Sequence, residues 1–213
     1  MKKLLFLFLS TIFTLTTYAQ DAKAKALLDE VSTKAKNYKN ISIDFKYVLE
    51  NTEENIRQET RGDVIMEGEK YRLNILGITR IFDGQNLYSI SPEDEEVTVS
   101  KASSEDQNTI TPSKMLSFYE DGFTYKMDIV QNVQGRKIQF VKLTPIDSSS
   151  EIKYVLLGID NKTKHIYRLI EIGKNGTKTT LTVNSFKTNE TLSKSLFTFD
   201  QEKYKDYYIN KLD

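Results

Sequence analysis

Hydrophobic and polar positions change their period near residue 40. Ala24, Leu27, Leu28, Val31, Ala35 and Tyr38 step by three and four, which places them on one face of a helix from Asp21 to about Tyr38. From Ile41 the period is two. Ile41, Ile43, Phe45, Tyr47 and Leu49 alternate with Ser42, Asp44, Lys46, Val48 and Glu50, as in a strand with one apolar face. Short strands follow at regular spacing, over 56–66, 71–76, 78–82, 87–90 and 96–100. Asp83-Gly84 is a turn that uses glycine's tolerance of positive φ, and Ser91-Pro92-Glu93-Asp94 is another. The polar stretch 101–111 reads as a loop.

A second helix is expected next. Thr111 can cap it, Pro112 suits its first position and Gly122 stands where it would stop. Between them, Met115, Leu116, Phe118 and Tyr119 cover more than one narrow stripe. Strands resume over 123–130, 136–144, 152–160, 165–172 and 177–187, with reversals at Gly135, Asp160-Asn161 and Asn175-Gly176. Phe197 and Phe199 mark a last short strand before a charged, Tyr-rich tail from Lys203 to Asp213. The reading is one mainly-β (α+β) domain over 20–213, with one helix, about ten antiparallel strands and an inserted short helix. A sheet of that width must curl or close to hide its apolar face.

Residues 1–19 read as an export leader and not as part of the fold. Lys2 and Lys3 precede the apolar run Leu4-Leu5-Phe6-Leu7-Phe8-Leu9, and Thr17-Tyr18-Ala19 offers small residues for cleavage before Gln20. The run is too short and too rich in Ser and Thr to span a bilayer comfortably. The mature chain is expected to be exported and soluble. Four sequons, at Asn40, Asn161, Asn175 and Asn189, are what an Asn-, Ser- and Thr-rich chain makes by chance. An exported chain without cysteine fits a bacterial envelope.

Composition removes most chemistries. The 213 residues hold no Cys and one His, His165, with 30 Lys+Arg against 30 Asp+Glu. That rules out a disulfide framework, a thiolate metal site, a Cys nucleophile and a His cluster for zinc. Balanced charge removes the main argument for nucleic acid. Ser150 and Lys153 match S-x-x-K, but they straddle a loop and a strand, where a solvated loop is the plainer reading. Glu67, Glu69 and the run Glu93–Glu96 read as solvated hairpin ends. Neither G-x-G-x-x-G nor a P-loop occurs, so nothing asks for a nucleotide cofactor. What remains is an aromatic surplus of 12 Tyr and 11 Phe on alternating strand positions and helix faces. This surplus either fills a core or lines a cavity.

The order of short motifs resembles that of the periplasmic lipoprotein carrier family, LolA-type. The N-terminal helix leads into Ile41-Ser42-Ile43-Asp44-Phe45, similar to the family's first strand. Gly62-Asp63-Val64-Ile65-Met66 and Glu69-Lys70-Tyr71-Arg72-Leu73 resemble its next two segments. Ile81-Phe82-Asp83-Gly84-Gln85-Asn86-Leu87-Tyr88 is similar to its D-G-x-x-L-W/Y hairpin, and Thr111-Pro112 through Leu116 to its lid helix. Val141-Lys142-Leu143-Thr144-Pro145 and Leu196-Phe197-Thr198-Phe199 resemble its late signals. The likeness runs from about residue 21 to 200.

The resemblance implies a single curved antiparallel sheet of about ten to eleven strands that forms an incomplete β-barrel. Helices cover it, with an apolar cavity between sheet and lid. It further implies a soluble, monomeric, non-enzymatic carrier of acylated lipoproteins, with no cofactor or metal. Such a carrier receives its cargo from an inner-membrane lipoprotein-releasing transporter and delivers it toward the outer membrane, where an acceptor of similar fold begins with a lipidated Cys that this chain lacks. The expected lining is Phe45, Tyr47, Val64, Met66, Leu73, Ile75, Phe82 and Leu87 from the sheet, with Leu27, Val31, Met115, Leu116 and Tyr119 facing it from the lid. The likeness breaks at Gly68-Glu69, where family members carry an Arg-Pro pair whose Arg is thought to hold the lid shut; Arg72 and Arg80 stand nearby as substitutes. A regulator of the same fold, which senses acyl chains or misfolded envelope proteins and signals through a protein partner, is the alternative reading.

Overall fold

The structure, a computed structural model, describes residues 21–101, 111, 112 and 114–212. The expected leader and the 102–110 part of the polar loop lie outside the described residues. Helix α1 spans Ala22–Lys36. Asp21 caps it by accepting from the backbone N–H groups of Lys23 (3.0 Å) and Ala24 (3.2 Å). The other oxygen of the same carboxylate accepts from the N–H of Met127 at 3.0 Å, so one side chain starts the helix and ties it to a strand far along the chain. These bonds hold the Asp21 carboxyl below its ordinary pKa, with the Met127 N–H contributing most.

Strands β1 (Ile41–Asn51), β2 (Ile56–Glu67), β3 (Lys70–Ile75), β4 (Ile78–Phe82), β5 (Asn86–Ser91) and β6 (Glu96–Lys101) form a meander. After the lid come β7 (Phe123–Val133), β8 (Arg136–Pro145), β9 (Ile152–Asp160), β10 (Ile166–Gly173) and β11 (Lys178–Thr188), with β12 (Tyr208–Lys211) near the C-terminus. All twelve join one sheet in the order β12-β6-β5-β4-β3-β2-β1-β11-β10-β9-β8-β7. The two meanders meet at β1 and β11, and β7 and β12 stand at opposite ends of the order, so the sheet curls without closing. Register shifts near Asn184 of β11, Tyr167 of β10 and Asp128 of β7 insert extra residues that bend these strands. The β3–β4 turn at Leu76-Gly77 and the β7–β8 turn at Gln134-Gly135 each place two successive residues at positive φ, the arrangement that matches the twist of a tight hairpin.

Three elements differ from the sequence expectation. The inserted helix is two single 3-10 turns, Lys114–Leu116 and Phe118–Glu120, broken at Ser117. The break lets Leu116 face the middle of the sheet while Tyr119 enters a different part of the core. Thr111 does cap the first turn, its Oγ1 accepting from the Lys114 N–H at 3.3 Å, and Gly122 at φ +80 ends the second. Phe197 and Phe199 lie in irregular chain and not in a strand. The last strand is instead β12, within the tail, and it pairs parallel to β6. Its apolar residue, Ile209, joins an outer cluster with Ile81, Ile90, Val97, Phe199, Tyr204 and Tyr207. Tyr88, Phe199 and Tyr204 stack there, with centroids 4.7 and 5.5 Å apart and planes nearly parallel.

The concave face carries the other two clusters. One lies between α1, the second lid turn and β7–β10, around Leu28, Tyr119, Leu143 and Leu157. The other lies around β1–β3, β5 and β11. At the rim of the first, Asp160 is 3% exposed. Burial alone would raise its pKa, but the Thr163 and Lys162 N–H groups and the Arg136 guanidinium, 2.7 Å away, together lower it to about 2. A depressed carboxylate pKa contributes stability that is present above the unfolded value near 3.8 and lost as pH falls toward about 2. Asp160→Asn is therefore expected to cost about 2 kcal/mol at neutral pH and to flatten the loss of stability between about pH 4 and pH 2, as read by urea melts across that range.

Candidate functional site

The alternation in β1 sends Ile43 and Phe45 to the concave side, and the register carries that side across the sheet. Ile43 stands opposite Val64, which stands opposite Leu73. On the other flank Phe45 stands opposite Val183, and Leu181 opposite Leu169. These side chains, with Met66, Ile166 and Phe186, form the walls of an apolar cavity of about 100 Å³, and Pro112, Met115 and Leu116 form its roof. Gly62 makes room for one wall, because the Phe45 ring lies across it.

Of the expected lining, Phe45, Val64, Met66, Leu73, Met115 and Leu116 surround this cavity. Tyr47, Ile75, Phe82 and Leu87 pack in the same cluster behind its edge. Leu27, Val31 and Tyr119 sit elsewhere, in the neighbouring core against β7–β10, because the apolar stripe of α1 lies over that half of the sheet. The sequence reading missed the flank from β10 and β11: Ile166, Leu169, Leu181, Val183 and Phe186. Extra residues at Tyr167 and Asn184 break the period-two signal that would have marked them.

Met66 and Leu116 also border a wider mouth of about 420 Å³ between the end of α1, the β2–β3 turn and the lid. Lys36, Lys39, Lys114, Glu69 and Ser117 rim it, and it shares Met66 and Leu116 with the apolar cavity. A larger cleft, about 500 Å³, lies between the β2–β3 turn and segment 189–199, but Lys39, Glu67, Lys70, Asp83 and Glu190 give it a polar lining unsuited to an apolar ligand.

Among the described residues, neither Arg72 nor Arg80 makes a hydrogen bond or ion pair to the lid; Arg80 is exposed on β4, and Arg72 stands in register with Ile65 and Ile81. The second lid turn is fastened otherwise. The Tyr125 hydroxyl donates to the carbonyls of Tyr119 at 2.7 Å and Glu120 at 2.9 Å. The Glu120 carboxylate accepts from Ser32 Oγ and from Lys36 Nζ at 2.7 Å, both on α1. The Lys36 and Ser32 bonds lower the Glu120 pKa. The Lys36 pair is solvent-exposed and adds little stability, so Tyr125 is the stronger fastening. Tyr125→Phe is expected to leave two carbonyls short of a donor and to speed amide exchange in residues 115–120 by about tenfold, measured by hydrogen-exchange mass spectrometry.

The far wall is anchored by His165. Its ring stacks on Phe186 at 4.0 Å between centroids, and Nε2 hydrogen-bonds the Tyr38 hydroxyl at 2.8 Å, joining the end of α1 to the cavity wall. Burial, followed by the charge of Lys34, lowers the His165 pKa, so the ring is neutral at neutral pH.

The architecture is a curved, open twelve-stranded sheet with an apolar cavity between its concave face and a small lid. The chain belongs to the family of the outer membrane lipoprotein carrier protein LolA, whose profile matches residues 36–200. No curated protein sequence matches it. Among solved structures, an uncharacterized conserved protein from Thermus thermophilus has a TM-score of 0.56 at 11% identity, covering 89% of this chain and 99% of that one. The Mycobacterium tuberculosis lipoprotein LppX has a TM-score of 0.53 at 14% identity, covering 81% and 98%. A LolA superfamily protein from Nitrosomonas europaea covers 83% and 97% at 12% identity, with a TM-score of 0.41. At these identities the likeness is one of fold. None of the described helices is long and apolar enough to cross a membrane.

Proposed function

We propose that this protein is a periplasmic carrier that shelters the acyl chains of lipoproteins and moves them from the inner to the outer membrane. The observation that carries the reading is the cavity itself, walled by apolar side chains on a concave sheet and roofed by Met115 and Leu116. Membership in the LolA family supports it. The physical need is plain. Each buried CH₂ is worth about 0.8 kcal/mol, so a multi-acylated protein does not leave its membrane at a useful rate without an apolar substitute.

At about 100 Å³ the cavity is smaller than the roughly 300–1,000 Å³ of sites for sizeable ligands. Loading therefore requires the lid to lift, which two single 3-10 turns permit at low cost. In this reading the protein works as a monomer without a cofactor, and it meets an inner-membrane releasing transporter on loading and an acceptor on delivery. The test is extraction: the mature protein is mixed with vesicles that carry an acylated lipoprotein, and the vesicles are sedimented. The expected result is lipoprotein in the supernatant as a complex with the carrier. If the lipoprotein stays with the vesicles while a protein partner is captured, the regulator reading replaces this one.

A further inference from the structure

The concave face continues past the cavity. Leu169 on β10 and Leu181 on β11 both line the cavity and stand opposite each other. Two residues further along each strand, on the same face, Glu171 stands opposite Thr179. Beyond Thr179 comes Leu49 of β1, and on the other side of Glu171 comes Val155 of β9, which is buried in the core under α1. The period of the strand places the Glu171 side chain on the concave side, about 7 Å along from Leu169. Tyr47, Leu49, Leu169, Thr179 and Leu181 around it are half-buried, as is Glu171 itself. The strip lies on the concave face directly beside Leu169 and Leu181 of the cavity wall.

Among the described residues, neither a cation nor a hydrogen-bond donor engages the Glu171 carboxylate, and burial alone raises its pKa. Removing such a group from water without a partner destabilises the fold, and a Val or Leu would pack better between Val155 and Leu169. Local rules broken without compensation mark functional positions.

We propose that Glu171 is the polar end of the ligand site, and that a ligand whose chain fills the cavity sets an amine-bearing, cationic group against this carboxylate. The proposal rests on the acyl-chain reading of the cavity. A half-desolvated carboxylate gains more from an ammonium group than an exposed one does, and the Thr179 hydroxyl beside it can accept a second N–H. An anionic group in the same place is repelled.

The test uses three probes with one chain and three heads: dodecylammonium, dodecanol and dodecanoate, each below its micelle-forming concentration at about pH 8, well above the ordinary carboxylate range and below that of an alkylammonium. Each displaces a solvatochromic apolar dye from the full mature protein. Wild type is expected to prefer dodecylammonium over dodecanoate by about tenfold or more, with dodecanol between. Glu171→Gln is expected to bring the two charged probes within about twofold of each other, to leave dodecanol unchanged and to melt no lower than wild type. Glu93→Gln, an exposed acid on a hairpin end, is expected to keep the wild-type ranking. An unchanged ranking in Glu171→Gln, or an equal change in Glu93→Gln, overturns the assignment of Glu171 and leaves the acyl cavity standing. A wild type that takes up neither dye nor probe overturns the acyl-chain reading, and this proposal with it.

Discussion

Met115→Arg is expected to abolish uptake of an apolar chain while leaving the fold intact. Met115 roofs the cavity yet belongs to none of the three buried clusters, so replacing it removes little core packing. An Arg in its place either sets an unpaired guanidinium against Phe45, Leu73 and Val183 or swings out and leaves the roof open. The first is prevented by desolvation, which costs several kcal/mol for an unpaired charge. The second returns the bound chain to water. Affinity for an apolar dye should fall by more than about tenfold with little change in melting temperature, whereas Met115→Leu, similar in volume, should bind as wild type does. Equal affinity in the Met115→Arg variant would place the binding site outside this cavity.

Gly62→Ala is the substitution with the largest expected effect on stability. Gly to Ala in a strand ordinarily stabilises by reducing the freedom of the unfolded chain. Here the sign reverses. A Cβ at Gly62 would lie 2.6 Å from the Phe45 ring and 2.6 Å from the backbone carbonyl of Asn74 on the neighbouring strand. The ring can turn, but the carbonyl belongs to the β2–β3 ladder and cannot yield without disturbing it. Overpacking of this kind costs roughly 1–3 kcal/mol. A ring pushed off Gly62 would also narrow the cavity, so stability and dye binding should fall together. A double-mutant cycle with Phe45→Ala separates the causes: about 1 kcal/mol or more of coupling is expected if the ring is the main obstacle, and none if the Asn74 carbonyl is. The same device recurs in the second half of the sheet, where a Cβ at Gly158 would lie 2.8 Å from the Phe140 ring.

The first half of the sheet was legible in the sequence because β1 and β3 alternate cleanly and short turns join β1 to β5, so each strand pairs with its neighbour in the chain. The second half of the cavity was harder to read. The partner of β1 on its other side is β11, more than a hundred residues away, and no local signal names that pairing. The alternation in β10 and β11 is also blurred by the extra residues at Tyr167 and Asn184 and by Thr179, Thr180 and Thr182, so Leu169, Leu181 and Phe186 do not stand out. Periodicity shows that Leu27 and Val31 share the apolar side of α1, but it cannot say which half of the sheet that side meets. The lid was expected as one helix because its cap and its terminating glycine are real; its four large apolar residues point two ways, which only a break at Ser117 accommodates. Strand β12 had no sequence signal, since its pairing to β6 is parallel and it carries few apolar residues.

The departure at Gly68-Glu69 acquires a physical meaning in the structure. That turn borders the same mouth as Ser32 and Lys36, which together with Tyr125 hold the second lid turn. Among the described residues, the first turn, with Met115 and Leu116, meets the sheet through apolar contacts. A lid fastened at one end can open without breaking its fastening, which suits the proposed carrier.

The most direct test of this reading is native mass spectrometry of the mature protein, purified gently from its own envelope. The predicted result is a set of adducts with the masses of acylated lipoproteins, absent from the Met115→Arg variant purified in parallel. A wild-type protein that emerges without adducts and takes up no acyl-chain probe would contradict it, and would mean that the space under the lid is closed core.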